Sequence, residues 1–313
     1  MYYSALTNEK KSPISYPGGK GKIAKELLPY IPPFEEYREP FFGGGSVYFA
    51  VRQRLKRTKQ FWVNDACPFV SAFWRQIRDN PQELFRRLEQ QYMELHYNNP
   101  QYTRDPNLSH EKKEEHKQFV KKFFNTLKEQ SYKELSELET ALNFYWINRM
   151  TFSSVQSAGF AYIRFQRCNP KQYSRIPKLS PLLQNTHITT GDYSKLLEKK
   201  GKHVFLYLDP PYENNQNSSL YGRNGDLHTL FDHKKLATLL KKCNETREHK
   251  FLLTYNDSEI IRNYYDWADI KKINLQYDMT DASERVDELL ISNFGFEKDL
   301  YWNIEQTTLN HFY

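Results

Sequence analysis

Asp209-Pro210-Pro211-Tyr212 gathers, in four residues, the groups needed to hold a planar amine. Asp209 can accept a hydrogen bond from an amino group. Proline fixes φ and has no N–H to donate, so the carbonyl of Pro210 is open to accept a second. Tyr212 offers a flat face on which a planar ring can stack. Two acceptors around one NH2 beside an aromatic face describe a pocket for the exocyclic amine of a nucleobase. An Asp-Pro turn that closes a strand, with Tyr212 packing inward, would read the same in isolation, so the rest of the chain decides.

The tetrapeptide follows Val204-Phe205-Leu206-Tyr207-Leu208, a short apolar run bounded by charge, which reads as a buried strand. Ligands of open α/β sheets bind outside the carboxyl ends of the strands, which is where Asp209 would stand. Other strand ends carry matching groups. Glu39-Pro40-Phe41-Phe42-Gly43-Gly44-Gly45-Ser46 passes from a short strand through three glycines into a helix expected over residues 46–55. Glycines there let the backbone approach a ligand beside a helix N-terminus. Phe61-Trp62-Val63-Asn64-Asp65 is a second strand, and Asp65 lies 20 residues after Gly45, the spacing at which a Rossmann-like fold places a carboxylate on ribose hydroxyls. A third, His187 to Thr190, ends in Gly191-Asp192-Tyr193, suited to an adenine ring and its amino group. Upstream, Ser15-Tyr16-Pro17-Gly18-Gly19-Lys20 is either a surface turn with a solvated lysine or a loop delivering Tyr16 and Lys20 to a cofactor, before a helix over 21–28. Further strands over 251–255 and 286–293 alternate with helices over 232–243 and 258–267, and 213–226 reads as a polar loop beside the site. The expectation is a doubly wound α/β sheet.

Between the second and third strands the character changes. Residues 81–95 and 110–127 show helical stripes, and Lys112-Lys113-Glu114-Glu115 suits a solvated face. From 140 to 191 there is no Asp or Glu, yet Arg149, Arg164, Arg167, Lys171, Arg175 and Lys178 are interleaved with aromatics. An unopposed positive surface with aromatics and amides suits phosphate contact and base reading. Residues 156–160 read as the turn of a β-hairpin whose arms carry Phe152 and Arg164. The expected division is therefore a catalytic part, 1–72 and 175–313, and an inserted helical plus β-hairpin target-recognition part for nucleic acid, 73–174.

Composition agrees with a chain that buries a core: 39% of the 313 residues are hydrophobic and 16% aromatic. The net charge of +7 suits an anionic partner. Cys67, Cys168 and Cys243 are widely spaced and form no C-x-x-C pair, as in reduced thiols rather than a zinc site or disulfide frame. No apolar stretch approaches a membrane span, and a soluble, cytoplasmic protein is expected.

Seven blocks, in order, resemble the Dam-like family (D12 class, alpha group) of DNA adenine-N6 methyltransferases. Tyr16-Pro17-Gly18-Gly19-Lys20 resembles its N-terminal cofactor motif and 39–46 its glycine motif. Asn64-Asp65 resembles the ribose-binding acid, 148–152 the start of the recognition hairpin, and Gly191-Asp192-Tyr193 the adenine-side motif. Asp209-Pro210-Pro211-Tyr212 resembles the catalytic motif and 288–293 the terminal strand. The resemblance implies a Rossmann-like fold binding S-adenosylmethionine through Tyr16, Lys20, Phe42, Gly43, Gly45, Ser46, Asp65, Asp192, Tyr193 and Asp209. It implies base flipping from double-stranded DNA, DNA contact through Arg149, Phe152, Ser153, Gln156, Arg164 and Arg167, and a companion restriction endonuclease as a functional partner. No metal is implied. Tyr16 stands where the family commonly has Trp, and Tyr193 where it has Phe. The hairpin lacks the Asn-Gly-Leu-x-Arg pattern of GATC-reading members, so recognition of GATC is not implied. Methylation of cytosine N4, where Ser in place of Asp209 is commoner, methylation of a protein glutamine or RNA, where Asn is typical there, and a non-catalytic DNA-binding module with a relic pocket are the alternatives.

Overall fold

A computed structural model describes residues 11–16, 18–21, 23–55, 59–99, 102–130, 133–152, 158–213, 230–246, 249–276 and 285–296. The chain forms two compact units. One holds Lys20–Ala66 and most of the chain from Asn185 onward; the other holds Cys67–Gln184 and the segment ending at Gly19.

In the first unit, β1 (Glu36–Glu39), β2 (Gln60–Asp65), β3 (Thr186–Thr190), β4 (Val204–Leu208), β5 (His249–Asn256), β6 (Asp269–Gln276) and β7 (Arg285–Ser292) form one sheet in the order β3-β2-β1-β4-β5-β7-β6. The pairs among β1 to β5 are parallel, while β7 runs antiparallel to both of its neighbours. This is the doubly wound, Rossmann-like sheet that the sequence predicts. All of β4 is buried, which explains its unbroken apolar sequence, since a strand covered on both faces has no polar side. Side chains alternate between the faces. Val204, Leu206 and Leu208 join Phe251, Leu253, Leu289 and Ile291 in one core with residues of the helices Ser194–Glu198, His233–Thr246 and Glu259–Tyr264. Phe205 meets an aromatic layer on the other face, 6.1 Å from Phe34 and 6.0 Å from Tyr37 between ring centroids. Each such buried side chain contributes about 1.5–3 kcal/mol. The strand order reverses between β1 and β4, the crevice in which such sheets bind ligands. Strand β6 lacks the apolar run by which the others are read. It is an edge strand, and Lys271 and Lys272 on it suit an edge that must not pair with another chain.

The glycine turn after β1 depends on its backbone. Gly45 has φ +66°, and a Cβ there would lie 2.9 Å from Phe42 Cζ and 3.1 Å from a ring carbon of Phe49. A left-handed non-glycine residue costs roughly 1–2 kcal/mol before any clash. Gly45→Ala is expected to destabilise the protein by about 2 kcal/mol or more, read as a lower denaturant midpoint; an unchanged midpoint would contradict this account.

The helical unit contains Pro68–Asp79, Pro81–Leu95, His110–Glu129, Glu137–Met150, Tyr162–Gln166, Pro170–Tyr173 and Ile176–Leu183. Ser136 and Glu139 form a capping box that starts the fourth of these, satisfying two N-terminal amides reciprocally. From Thr140 to Met150 that helix is buried on every side, so it is the centre of the unit. Phe144, Tyr145 and Trp146 are therefore core, as are Phe165 and Tyr173, and not the surface aromatics that the acid-free stretch suggests. The hairpin expectation is corrected in part. Thr151 and Phe160 form an antiparallel bridge, but Arg164 lies on the helix Tyr162–Gln166 and not on a strand arm. Among the described residues no helix is long and apolar enough to cross a membrane.

Candidate active site

Asp209 follows the last residue of β4. The parallel register that pairs Leu208 with Leu253 continues so as to set Asp209 beside Thr254. The Thr254 hydroxyl is 2.8 Å from Asp209 Oδ1 and 3.2 Å from the carbonyl of Leu208, and the Tyr207 hydroxyl is 3.4 Å from it. A threonine hydroxyl has one proton, and hydrogen bonds to an ionised acceptor are the stronger ones. The proton therefore goes to Asp209, and the phenol of Tyr207 donates to Thr254. Lys20 Nζ reaches the same Oδ1 at 2.9 Å and also donates to the Tyr212 hydroxyl at 2.7 Å. Lys20 and Thr254 are the near donors to Oδ1, and the Tyr212 hydroxyl donates to the same oxygen from 3.4 Å. Oδ2 takes no hydrogen bond among the described residues, and the Asp209 side chain keeps 21% of its surface open. One oxygen is pinned and the other is offered.

The charges around it are buried. Glu288 Oε1 lies 3.5 Å from Lys20 Nζ, and the Glu288 side chain is 1% exposed. Because β7 runs against the other strands, Glu288 near its start faces Asn256 at the end of β5, and so reaches the sheet's carboxyl edge. Burial works against the Lys20 ammonium, but Asp209 and Glu288 more than offset it and raise its pKa. Glu39, at the end of β1, is different. Burial drives its carboxyl well above the usual carboxylate range, the Tyr37 hydroxyl bond opposes this, and the charge of Asp209 adds to it. The net effect disfavours the charged form of Glu39.

The neighbouring strand ends are laced together. Asp65 Oδ2 accepts the amide of Gly43 at 2.8 Å, and the Asp65 carbonyl accepts that of Gly191 at 3.1 Å. Asn64 donates to the carbonyls of Pro40 and Gly191. The glycine turn, Asp65 and the turn before Asp192 therefore hold one another. Phe42 packs edge-on against Tyr48, 5.3 Å between centroids, and Ser46 opens the helix Ser46–Arg52. Asp192 accepts from the Ser194 amide at 2.8 Å and pairs with Lys235 at 3.3 Å, and these lower its pKa. The Tyr193 ring lies 5.1 Å from Phe41 and 5.6 Å from Phe231. Among the described residues its hydroxyl is buried with no hydrogen-bond partner. An orphaned hydroxyl, an aromatic wall and carboxylates at two strand ends are a donor set that fits a nucleoside.

The expected site residues fall into groups. Lys20, Asp209 and Tyr212 converge, and Pro210 and Pro211 follow the carboxylate in sequence. Gly43, Gly45 and Asp65 share the glycine turn, and Asp192 with Tyr193 ends β3. Tyr16 belongs to the other unit, where its carbonyl accepts the Gly19 amide at 3.0 Å. Ser153 and Gln156 lie outside the described residues. Phe152 is 58% exposed, Arg167 is exposed and Arg164 half-buried. Arg149 is at odds with its expected phosphate contact: it is buried, and its guanidinium donates to the Pro13 carbonyl. Together with Asn148, which hydrogen-bonds both backbone groups of Ser15, it staples the N-terminal segment to the helical unit. Sequence reasoning missed Thr254, Glu288 and Glu39 as partners. The one available signal was Glu288, an acid leading an otherwise apolar run.

A sequence model described as D12 class N6 adenine-specific DNA methyltransferase matches residues 16–279. Among curated relatives, a type II methyltransferase of Methanocaldococcus jannaschii is 24% identical over 310 residues, covering 91% of this chain and all of that one. A type II methyltransferase of Lactococcus lactis subsp. cremoris is 23% identical over 299 residues, covering 89% and 93%. A DNA adenine methylase of Vibrio cholerae is 21% identical over 289 residues, covering 88% and 94%.

Proposed function

Because the chain belongs to the D12 class of N6 adenine-specific DNA methyltransferases, we propose that it methylates N6 of an adenine turned out of duplex DNA at a defined sequence. The observation that carries this is the Asp209 carboxylate, with Oδ1 held by Lys20 and Thr254 and Oδ2 open beside Pro210 and Tyr212. S-adenosylmethionine, when bound, supplies an electrophilic methyl group. Asp65 would accept its ribose hydroxyls, Asp192, Tyr193 and Phe41 would hold its adenine, and the backbone of 42–46 would face it.

The N6 lone pair of adenine is delocalised into the ring and is a poor nucleophile. Asp209 Oδ2 and the Pro210 carbonyl, taking its two hydrogens, favour a pyramidal nitrogen with the lone pair free. Positive charge develops on that nitrogen as the bond forms, and two carboxylates facing one ammonium offset it. In-line placement supplies much of the rate. Extruding the base costs a few kcal/mol, and stacking on Tyr212 returns roughly 1–3 kcal/mol. Lys20 holds the Tyr212 hydroxyl, so the ring is oriented before the base arrives. Arg164, Arg167 and Phe152 would contact the duplex, phosphates for position and base edges for sequence. The names of two relatives are those of type II methyltransferases, which supports a companion restriction endonuclease in the cytoplasm.

The test is methyl transfer from labelled S-adenosylmethionine into mixed-sequence duplex DNA, followed by nucleoside analysis. Label in N6-methyladenine is expected. Label in N4-methylcytosine would overturn the choice of base, and no label despite bound cofactor and DNA would overturn the reading.

A further inference from the structure

Thr254 looks ordinary in sequence, a β-branched residue inside a strand. Its surroundings are not ordinary. A carboxylate turns about a broad, roughly two-fold torsion, and a lysine ammonium is a compact charge on a flexible stem, so Lys20 and the long 3.4 Å bond from the Tyr212 hydroxyl leave the plane of Asp209 loosely set. Thr254 adds the shortest bond to the same oxygen, 2.8 Å, from the centre of the sheet. Its hydroxyl could have donated to the Leu208 carbonyl instead, at 3.2 Å. Tyr207 biases the choice. This phenol is buried and 3.4 Å from Thr254 Oγ1, and burial, with the charge of Asp209 next, holds it protonated as a donor.

We propose that Thr254 is a positioning residue for methyl transfer: oriented by Tyr207, its hydroxyl turns the Asp209 carboxylate so that Oδ2 faces the amine. The proposal rests on the reading of Asp209 given above. Thr254 is wholly buried, so it acts through the carboxylate.

Three variants of the full chain test it: Thr254→Val, which keeps the branched shape and loses the hydroxyl, Thr254→Ser, which keeps the hydroxyl, and Tyr207→Phe. Single-turnover transfer at saturating S-adenosylmethionine and duplex is compared with the dissociation constants of both and with thermal stability. Misplacing a reacting group by a fraction of an ångström to one ångström costs up to about 100-fold. Thr254→Val is therefore expected to slow the chemical step about 10- to 100-fold with affinities within about 2-fold of wild type, Thr254→Ser to recover most of the rate, and Tyr207→Phe to fall between. A Thr254→Val rate equal to wild type, or a Thr254→Ser rate as slow as that of valine, would overturn the proposal. If Thr254→Val does not fold, a Tyr207→Phe rate equal to wild type overturns it and a slowed one supports it. Failure of the wild type itself to methylate adenine would overturn the reading of Asp209, and the proposal with it.

Discussion

Asp209→Ala is expected to reduce methyl transfer by about 10³-fold or more, with binding of duplex DNA and S-adenosylmethionine retained within a few-fold. Losing one donor or acceptor aimed at developing charge costs about 10²–10³-fold, and here the lost group also carries the full charge that opposes the one forming on nitrogen. The fold should tolerate the change, because Lys20 keeps Glu288 as a partner at 3.5 Å and Asp209 was part-exposed. Nucleoside analysis after long incubation, beside binding isotherms for both ligands, reads the outcome. Turnover within 10-fold of wild type would remove Asp209 from its assigned role.

Lys20→Met should act on stability and catalysis together, and this separates two accounts of the lysine. The sequence motif places Lys20 on the cofactor. In the structure its ammonium lies between Asp209 and Glu288 and holds the Tyr212 hydroxyl. Methionine would leave two carboxylates facing each other, one of them almost wholly buried. Breaking such a pair on one side costs about 3–5 kcal/mol, and each kcal/mol moves Tm by roughly 2–4 °C in a chain of this size. A fall of about 10 °C is expected, with methyl transfer lost more steeply than affinity for S-adenosylmethionine. Unchanged Tm with a large loss of cofactor affinity alone would return Lys20 to the cofactor.

What the sequence shows, and what it hides, follows from where each interaction runs along the chain. Strand β4, the glycine turn and the stripe of Pro81–Leu95 are visible because their causes are local: an apolar run, a left-handed turn, a helical period. Asp65 is visible because its partner, Gly43, sits in the same βαβ unit. The distant partners of Asp209 and of Lys20 are hidden because they come from three separate elements, the segment at Lys20, β5 and β7. No periodicity marks Thr254. Arg149 misleads for a related reason. A cation in an acid-free stretch suggests phosphate, but a carbonyl at Pro13 occupies it, and only tertiary structure brings that carbonyl near. The aromatics of 144–146 mislead likewise, since a helix buried all round has no polar face to betray its depth.

The insertion between β2 and β3 also sets an order of assembly. Asn64 and Thr189 hydrogen-bond across these adjacent strands, although 125 residues separate them. Closing a flexible loop of that length costs about 4 kcal/mol in its length-dependent entropy, and pairings of high sequence separation form slowly. Prior folding of the helical unit replaces that long loop with a compact body whose ends are fixed, so the closure that remains is short. Helices first and sheet edge last is therefore the expected order. Substitutions in the helical core would then delay the edge that carries Asp65 and Asp192, and a newly made chain would gain these two strand-end carboxylates only after its other unit had formed.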